Sequence, residues 1–347
     1  MFDSVSHSLK LSSDIIQKSI NTSVIFDQSA IIRLLQRGQF VTASGVKPTI
    51  SVIIATYYRN ELLRDAIDSV LSQDYSPVEL IVVDDSGEGH AAPVLAEYEQ
   101  LTPIIREENG GWGTAYTAGA EASTGEYIHF LDDDDYFLPG KLSKTLEALE
   151  ADPEAGVAYS GLVQDDRGLQ YPDSAVSGDV LERALRFKTY PCCTITMLVE
   201  REVLLDVLPL ATYGDDLDLK IELARRTHFC PVDECLVYRR KATSRRWEGL
   251  QRFQEMKRII RNQRALYDEY PHIRRAVLAE RYEEEGQVRL EKRFWSPLAP
   301  ICFAKALYYA DGNRVRCGAQ LVASLFGRPG LETIRQVNRS FFVKSQN

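Results

Sequence analysis

The stretch Thr49–Gln73, TISVIIATYYRNELLRDAIDSVLSQ, carries two periodicities in succession. Thr49 to Ala55 is a β-branched run, the pattern of a strand buried on both faces. Leu62, Leu63, Ala66, Ile67, Val70 and Leu71 then recur at helical spacing, which predicts a helix closing near Gln73. The polar turn Thr56-Tyr57-Tyr58-Arg59 lies at the joint. This is a strand–helix unit with its chemistry-bearing residues at the carboxyl end of the strand.

The unit repeats outward from there. Glu79–Val83 reads as a second strand ending at Asp84-Asp85, with a helix around Ala91–Gln100. Pro103–Arg106 reads as a third strand, followed by Asn109-Gly110-Gly111-Trp112-Gly113 and a helix over Ala115–Ala122. Tyr127–Leu131 is a fourth, and four consecutive aspartates, Asp132 to Asp135, follow it at once. Such alternation predicts an α/β fold with a mainly parallel sheet flanked by helices, and ligands beyond the carboxyl ends of its strands. Further elements are expected as a helix from Lys141 to Leu149, strands over Val157–Ser160 and Cys193–Val199, and a helix opening at Gly214-Asp215-Asp216. Residues 1–47 read as an N-terminal extension, 48–245 as the catalytic domain and 246–347 as a mostly helical, basic module.

The bulk numbers narrow the classes. The 347 residues carry a net charge of −9, unevenly placed: residues 1–238 hold 18 Lys/Arg against 39 Asp/Glu, and residues 239–347 hold 23 against 11. The basic third suits an anionic surface or lipid-linked phosphate, or simply docks on the acidic domain. No apolar run reaches the ~20 residues of a membrane span. Trp295–Ala310 reads as a core helix, or as one lying on a membrane. The six cysteines, with Cys192 adjacent to Cys193 and no secretory leader, read as reduced thiols of a cytoplasmic protein. Cys230 and Cys235 are spaced too widely for an ordinary zinc pair.

Alternate residues of a strand share a face, so Asp132 and Asp134 are expected to point together and Asp133 apart. Carboxylates alone suit hard divalent cations, Mg²⁺ or Mn²⁺, and the poverty of His and Cys nearby disfavours zinc. The plainer reading is a solvated acidic turn. NGGWGTAYTAG lacks the glycine spacing of a dinucleotide fingerprint and reads as a loop before a helix.

Taken in order, SVIIATYYRNELLRDAIDSVLSQDY, ELIVVDDSGEG, ASTGEYIHFLDDDDYFLPGKL, GDDLDLKIELARR and CLVYRRKATS resemble the family 2 glycosyltransferases of GT-A fold, over residues 49–245. The resemblance implies that Thr56, Tyr57 and Arg59 line the nucleotide pocket and that Asp85, with Arg106 in support, meets the base. It implies Asp133 on the ribose side, and Asp134 with Asp132 holding Mn²⁺ or Mg²⁺ at the donor diphosphate. Asp216 would be the general base of an inverting transfer from a UDP- or dTDP-sugar to a glycan, lipid-linked or polymer acceptor, with Asp215 capping its helix. The chain departs from the family wording in four places. Tyr58 replaces Asn, Tyr116-Thr117 replaces Arg-Asn, Leu208-Pro209-Leu210 replaces Gly-Gly-Phe, and Lys241 stands for a His near the diphosphate.

Two other classes compete: a nucleotidyltransferase, which would need a glycine-rich loop after the first strand, and a non-catalytic sugar- or partner-binding relative, which would have no use for both Asp134 and Asp216. No nucleic-acid partner is expected. Residues 247–347 are read as a peripheral contact with the inner membrane face, a homodimer interface or a cover for the acceptor cleft.

Overall fold

The computed structural model describes residues 47–210, 216–241, 250–312 and 314–333. The chain divides at Lys47/Pro48 into two compact units, and the second, residues 48–347, carries the sheet.

In chain order the strands and helices are β1 (Ile50–Thr56), α1 (Asn60–Leu71), β2 (Val78–Asp84), α2 (Ala92–Leu95), β3 (Leu101–Ile105), α3 (Trp112–Ala122), β4 (Tyr127–Asp132), β5 (Tyr136–Phe137), α4 (Lys141–Ala151), β6 (Ala155–Gln164), β7 (Gly168–Gln170), α5 (Leu181–Leu185), β8 (Met197–Glu200), α6 (Arg201–Leu205), α7 (Asp216–Ala224) and β9 (His228–Arg239). The elements described in the basic region are all helices: α8 (Leu250–Asn262), α9 (Arg264–Glu269), α10 (Pro271–Lys292), α11 (Leu298–Tyr309) and α12 (Arg314–Ser324).

The sheet runs β3-β2-β1-β4-β8-β6-β9-β5, with β7 paired to β6. Its β3-β2-β1-β4 half is parallel, and β8 joins it antiparallel to both β4 and β6. β1 shows why its sequence is apolar without interruption. Ile50, Val52 and Ile54 face a core with α1, α2 and α4, while Ile53 faces the opposite core with α3. Both faces are covered, so period-two alternation is absent. Gly119 of α3 meets β1 so closely that a Cβ there would lie 2.3 Å from Ile53 Cγ2. That close approach requires glycine.

Register sets the strand ends level. Thr56 pairs with Asp84, Ala55 with Asp132, and Asp84 with Ile105. The chain steps outward from β1 to β2 and β3 and then returns to the other side of β1 with β4. The switch in direction therefore falls between β1 and β4, where a crevice opens in sheets of this kind.

Several elements differ from expectation. The helix after Asp85 is one turn, Ala92–Leu95, and β3 starts earlier than expected, at Leu101, where the chain pairs with Leu80. The strand expected over Cys193–Val199 begins only at Met197. Residues Thr194–Thr196 form a 3₁₀ turn, in which the Cys193 N–H donates to Thr196 Oγ1 at 2.9 Å, a local bond that competes with strand pairing. The six cysteines are free thiols, all but Cys235 buried. Helices α8 to α10 pack onto the sheet domain through Ile259, Ile260, Tyr267 and Val277, and the Tyr267 hydroxyl donates to Leu185 O at 2.7 Å. No described helix is long and apolar enough to cross a membrane.

Candidate active site

Three strand ends supply the site. Beyond β2, the two aspartates divide. Asp84 is fully buried and holds its own loop, accepting from Ser86 N at 2.9 Å and Ala91 N at 2.7 Å. Asp85 turns toward the glycine-rich loop: Oδ1 accepts from Arg106 Nη1 and from Gly110 N at 3.1 Å, and Oδ2 from Gly111 N at 2.7 Å. A Cβ at Gly110 would lie 2.5 Å from Arg106 Nη1 and 2.8 Å from Thr114 Cβ, so a side chain there would displace the guanidinium from its place.

Beyond β1, Asp133 is the anchor. It is 3% exposed, and Oδ2 accepts from Thr56 Oγ1 at 2.8 Å and Tyr57 N at 3.2 Å, while Oδ1 accepts from Arg59 Nη1 at 2.8 Å. Burial raises its pKa to about 6, with Arg59 and Thr56 opposing. Its carboxylate is thus turned into the β1 loop. Arg59 also reaches Asp134 Oδ2 at 2.9 Å, so one guanidinium spans two aspartates. The Tyr57 ring is half exposed, and behind it Tyr58, held at φ 56° with its hydroxyl on Glu88, packs edge-on to Tyr57 and tilted against His90.

Beyond β4, Asp132 and Asp134 share a side and Asp133 turns away into the β1 loop, as strand parity predicts, but Asp135 departs from the alternation. The strand ends at Asp132, and the Asp135 N–H bonds back to Asp132 O at 3.2 Å. That turn carries Asp135 round, so ligand atoms of Asp132, Asp134 and Asp135 lie within 4.8 Å of one another. The motif assigns no ligand role to Asp135, which the turn nonetheless brings into the cluster. Burial, then Asp132 and Asp134, raise its pKa to about 8, and burial raises that of Asp132. Tyr116, fully buried in α3, donates to Asp132 Oδ1 at 2.7 Å. Its neighbour Thr117 accepts from Leu210 N at 2.9 Å. The two departures at 116 and 117 therefore join α3 to the acidic cluster and to the segment before Asp216.

Asp216 opens the described part of α7. Oδ2 accepts from Lys220 Nζ at 3.2 Å, and that buried ammonium also donates to Cys192 O at 2.8 Å. Burial works against the Lys220 charge, but Asp216, with Cys192 and Cys193, outweighs it and raises the pKa. Asp215, expected to cap this helix, lies outside the described residues.

Arg239, at the end of β9, was missed by sequence reasoning. Burial opposes its charge, yet Cys193, Asp135, Asp132 and Asp216 together raise its pKa. One cation therefore answers both the acidic cluster and Asp216. Arg240 adds a second tether, its N–H on Asp135 Oδ1 at 2.9 Å and its guanidinium on Asp134 O at 3.1 Å. Lys241 follows, its N–H on Asp165 Oδ2 at 2.8 Å and its side chain exposed.

Residues 51–208 match the family model described as glycosyl transferase family 2. The chain is similar to the uncharacterized glycosyltransferase alr2836 of Nostoc sp. (strain PCC 7120), 33% identical over 140 residues, 39% of this chain and 44% of that protein. It is also similar to the uncharacterized glycosyltransferase YwdF of Bacillus subtilis (strain 168), 36% identical over 128 residues, 36% of this chain and 47% of that one. The chain thus spans less than half the length of either relative. In fold it resembles S. aureus TarS 1-349 in complex with UDP-GlcNAc, with a TM-score of 0.51 at 16% identity over 83% of this chain and 92% of that one.

Proposed function

We propose, from the match of residues 51–208 to the glycosyl transferase family 2 model, that the chain is an inverting glycosyltransferase using a nucleoside-diphosphate sugar. One observation carries the reading: three carboxylates converge within 4.8 Å at the level ends of β1 and β4, beside the Asp85 loop and sharing Arg239 with Asp216.

The acidic cluster fits a divalent cation. Asp132, Asp134 and Asp135 offer carboxylate oxygens alone, the donor set of Mn²⁺ or Mg²⁺. Burial, and after it the neighbouring Asp132 and Asp134, raises the proton affinity of Asp135, an unfavourable arrangement that a divalent ion relieves. Bound there, such an ion would supply charge stabilisation for the departing nucleoside diphosphate.

This chain's own residues do the rest. Asp85 reads the base. A carboxylate has about four acceptor positions, and three are taken by Arg106, Gly110 and Gly111. One position on Oδ2 is left, which matches the single imide N–H of uracil or thymine and supports a UDP- or dTDP-sugar. Tyr57 offers its ring to the base, and Asp133, on the ribose side, fixes the loop that carries it. Arg59 balances the charge of Asp133 and Asp134. Asp216, with one oxygen fixed by Lys220, removes the proton from the acceptor hydroxyl as that oxygen attacks the anomeric carbon from the face opposite the diphosphate. A single displacement inverts the anomeric configuration. Lys241 is assigned to the diphosphate side as a point charge. Acceptors are glycan, lipid-linked or polymer hydroxyls.

The test is a panel of nucleotide sugars scored for Mn²⁺-dependent thermal stabilisation and for turnover with the wild type and Asp216→Asn. The variant should bind donor normally and turn over about 10²-fold more slowly or worse. Turnover close to wild type would remove Asp216 as the base, and no Mn²⁺-dependent stabilisation by any nucleotide sugar would remove the reading.

A further inference from the structure

The basic helical region ends in a hairpin with a small core of its own. Leu290, Ala299, Phe303, Ala323 and Leu331 bury one side of α10, α11 and α12 together. Gly286 of α10 lets the Phe303 ring approach, since a Cβ there would lie 2.8 Å from it. The opposite side is open and apolar. Phe294 (69% exposed) and Trp295 (52%), in the link between α10 and α11, stand beside Leu325 (58%) and Phe326 (70%) at the end of α12. The juxtaposition is fixed by backbone groups: Trp295 Nε1 donates to Leu325 O at 3.2 Å, and Arg328 N to Phe294 O at 2.9 Å. Val322 and Phe326 continue this face into an apolar groove of about 640 Å³ that ends at Pro329 and Gly330.

Charge identifies what such a face meets. From Lys292 to Arg328 the chain carries Lys292, Arg293, Lys305, Arg314, Arg316 and Arg328 against the single acid Asp311. Residues 329–347 add Arg335, Arg339 and Lys344 against Glu332. Exposed Trp, Phe and aliphatic side chains rimmed by Lys and Arg are the composition of a surface that lies in the lipid headgroup region. Each basic residue near an anionic leaflet adds attraction, whereas a second copy of the same patch would bring like charges together.

We propose that the Phe294-Trp295/Leu325-Phe326 tip of this hairpin docks the chain on an anionic lipid surface, its aromatic and aliphatic side chains entering the interface and its basic rim meeting the headgroups. This narrows the membrane reading of residues 247–347 to one face. It does not depend on the sugar-transfer reading, since binding is measured without turnover.

The test is co-sedimentation of the full chain with phosphatidylcholine vesicles, with and without phosphatidylglycerol. The wild type should bind the anionic vesicles, lose binding as salt rises, and show a blue-shifted Trp295 emission when bound. Val322→Glu/Phe326→Glu should bind at least ~10-fold more weakly, and Lys292→Gln/Arg293→Gln should weaken binding while flattening its salt dependence. The altered side chains are exposed, so both variants should keep wild-type melting, and nucleotide binding in them should be unchanged. Three results would overturn the proposal. One is anionic-vesicle binding that is absent in the wild type or unchanged in the Glu variant. Another is a vesicle-independent dimer that the Glu variant dissolves, which gives the face to a second copy. The third is binding that emerges only after deletion of residues 334–347, which gives the groove to the chain's own C-terminal segment.

Discussion

Asp85→Asn is the sharpest test of the base pocket, because its consequence follows from counting lone pairs. In the native site three donors, Arg106 Nη1, Gly110 N and Gly111 N, converge on the carboxylate and leave one acceptor position on Oδ2. An asparagine keeps one oxygen, enough for Arg106 and Gly110, and replaces the other with an NH₂ group. That NH₂ opposes the Gly111 N–H and also any imide N–H offered by uracil. A hydrogen bond to a charged group is worth about 1.5–3 kcal/mol, so uridine nucleotides should lose roughly 10- to 150-fold in affinity. Cytosine presents an acceptor, N3, where uracil presents N3–H, and the new amide can donate to it. The variant should therefore shift the UDP-to-CDP preference toward CDP by more than it weakens UDP. Titration calorimetry of UDP and CDP with Mn²⁺ reads both quantities, and thermal melting should report a loss of about 1–3 kcal/mol from the unsatisfied Gly111 N–H. An unchanged UDP-to-CDP ratio would refute the assignment of Asp85 to the base.

Asp134→Ala should abolish Mn²⁺-dependent nucleotide binding while leaving apo melting nearly unchanged, because its side chain is 24% exposed and its one ion pair among the described residues is with half-exposed Arg59; equal Mn²⁺ titrations of wild type and variant would contradict this. Tyr116→Phe removes the hydroxyl that orients Asp132 and should weaken Mn²⁺ affinity about 10- to 100-fold, the usual effect of losing a group that orients a ligand. Lys141 gives a pH signature. Its ammonium is fully buried on Ser160 Oγ and Thr196 O, and burial lowers its pKa to about 7 from 10.5. Between those values the unfolded chain holds the extra proton, so this group makes stability rise with pH, by up to ~1.4 kcal/mol per unit. Above pH ~8.5 the raised thiol pKa values, led by buried Cys192, pull the other way. The measurement is therefore the difference between denaturation curves of wild type and Lys141→Met, which should grow in favour of wild type from pH 7 to 9.

The legible part of the fold was the part governed by short-range pattern. β1 declared itself by an apolar run and α1 by its spacing, and the alternation of strands and helices implied the common direction of β1 to β4. β9 was not legible. Pro231, Asp233 and Glu234 interrupt its pattern, and its pairing with β6 shifts register around Gly161. Arg239 and Arg240 were missed with it, since their place beside the aspartates depends on where that irregular strand ends. Asp135 was missed for another reason. Parity arguments hold only while the chain stays extended, and the turn closed by the Asp135 N–H ends that one residue after the run begins. The aspartates at 132 to 134, Asp85 and Asp216 were found by motif, but the division of labour between Asp84 and Asp85 depends on loop amides that no pattern displays.

Helix α3 has a further consequence. The loop before it holds Asp85 through Gly110 and Gly111, Tyr116 holds Asp132, and Thr117 holds the Leu210 amide on the way to Asp216. Gly119 seats the same helix flush on β1. The residues proposed for base recognition and for the cation, with the chain at Leu210, are therefore referenced to one rod. A small slide of that rod displaces all three together, so positional errors at the site are correlated and largely cancel in the distances between its parts. The chain tolerates drift in where the site lies better than drift in its internal proportions.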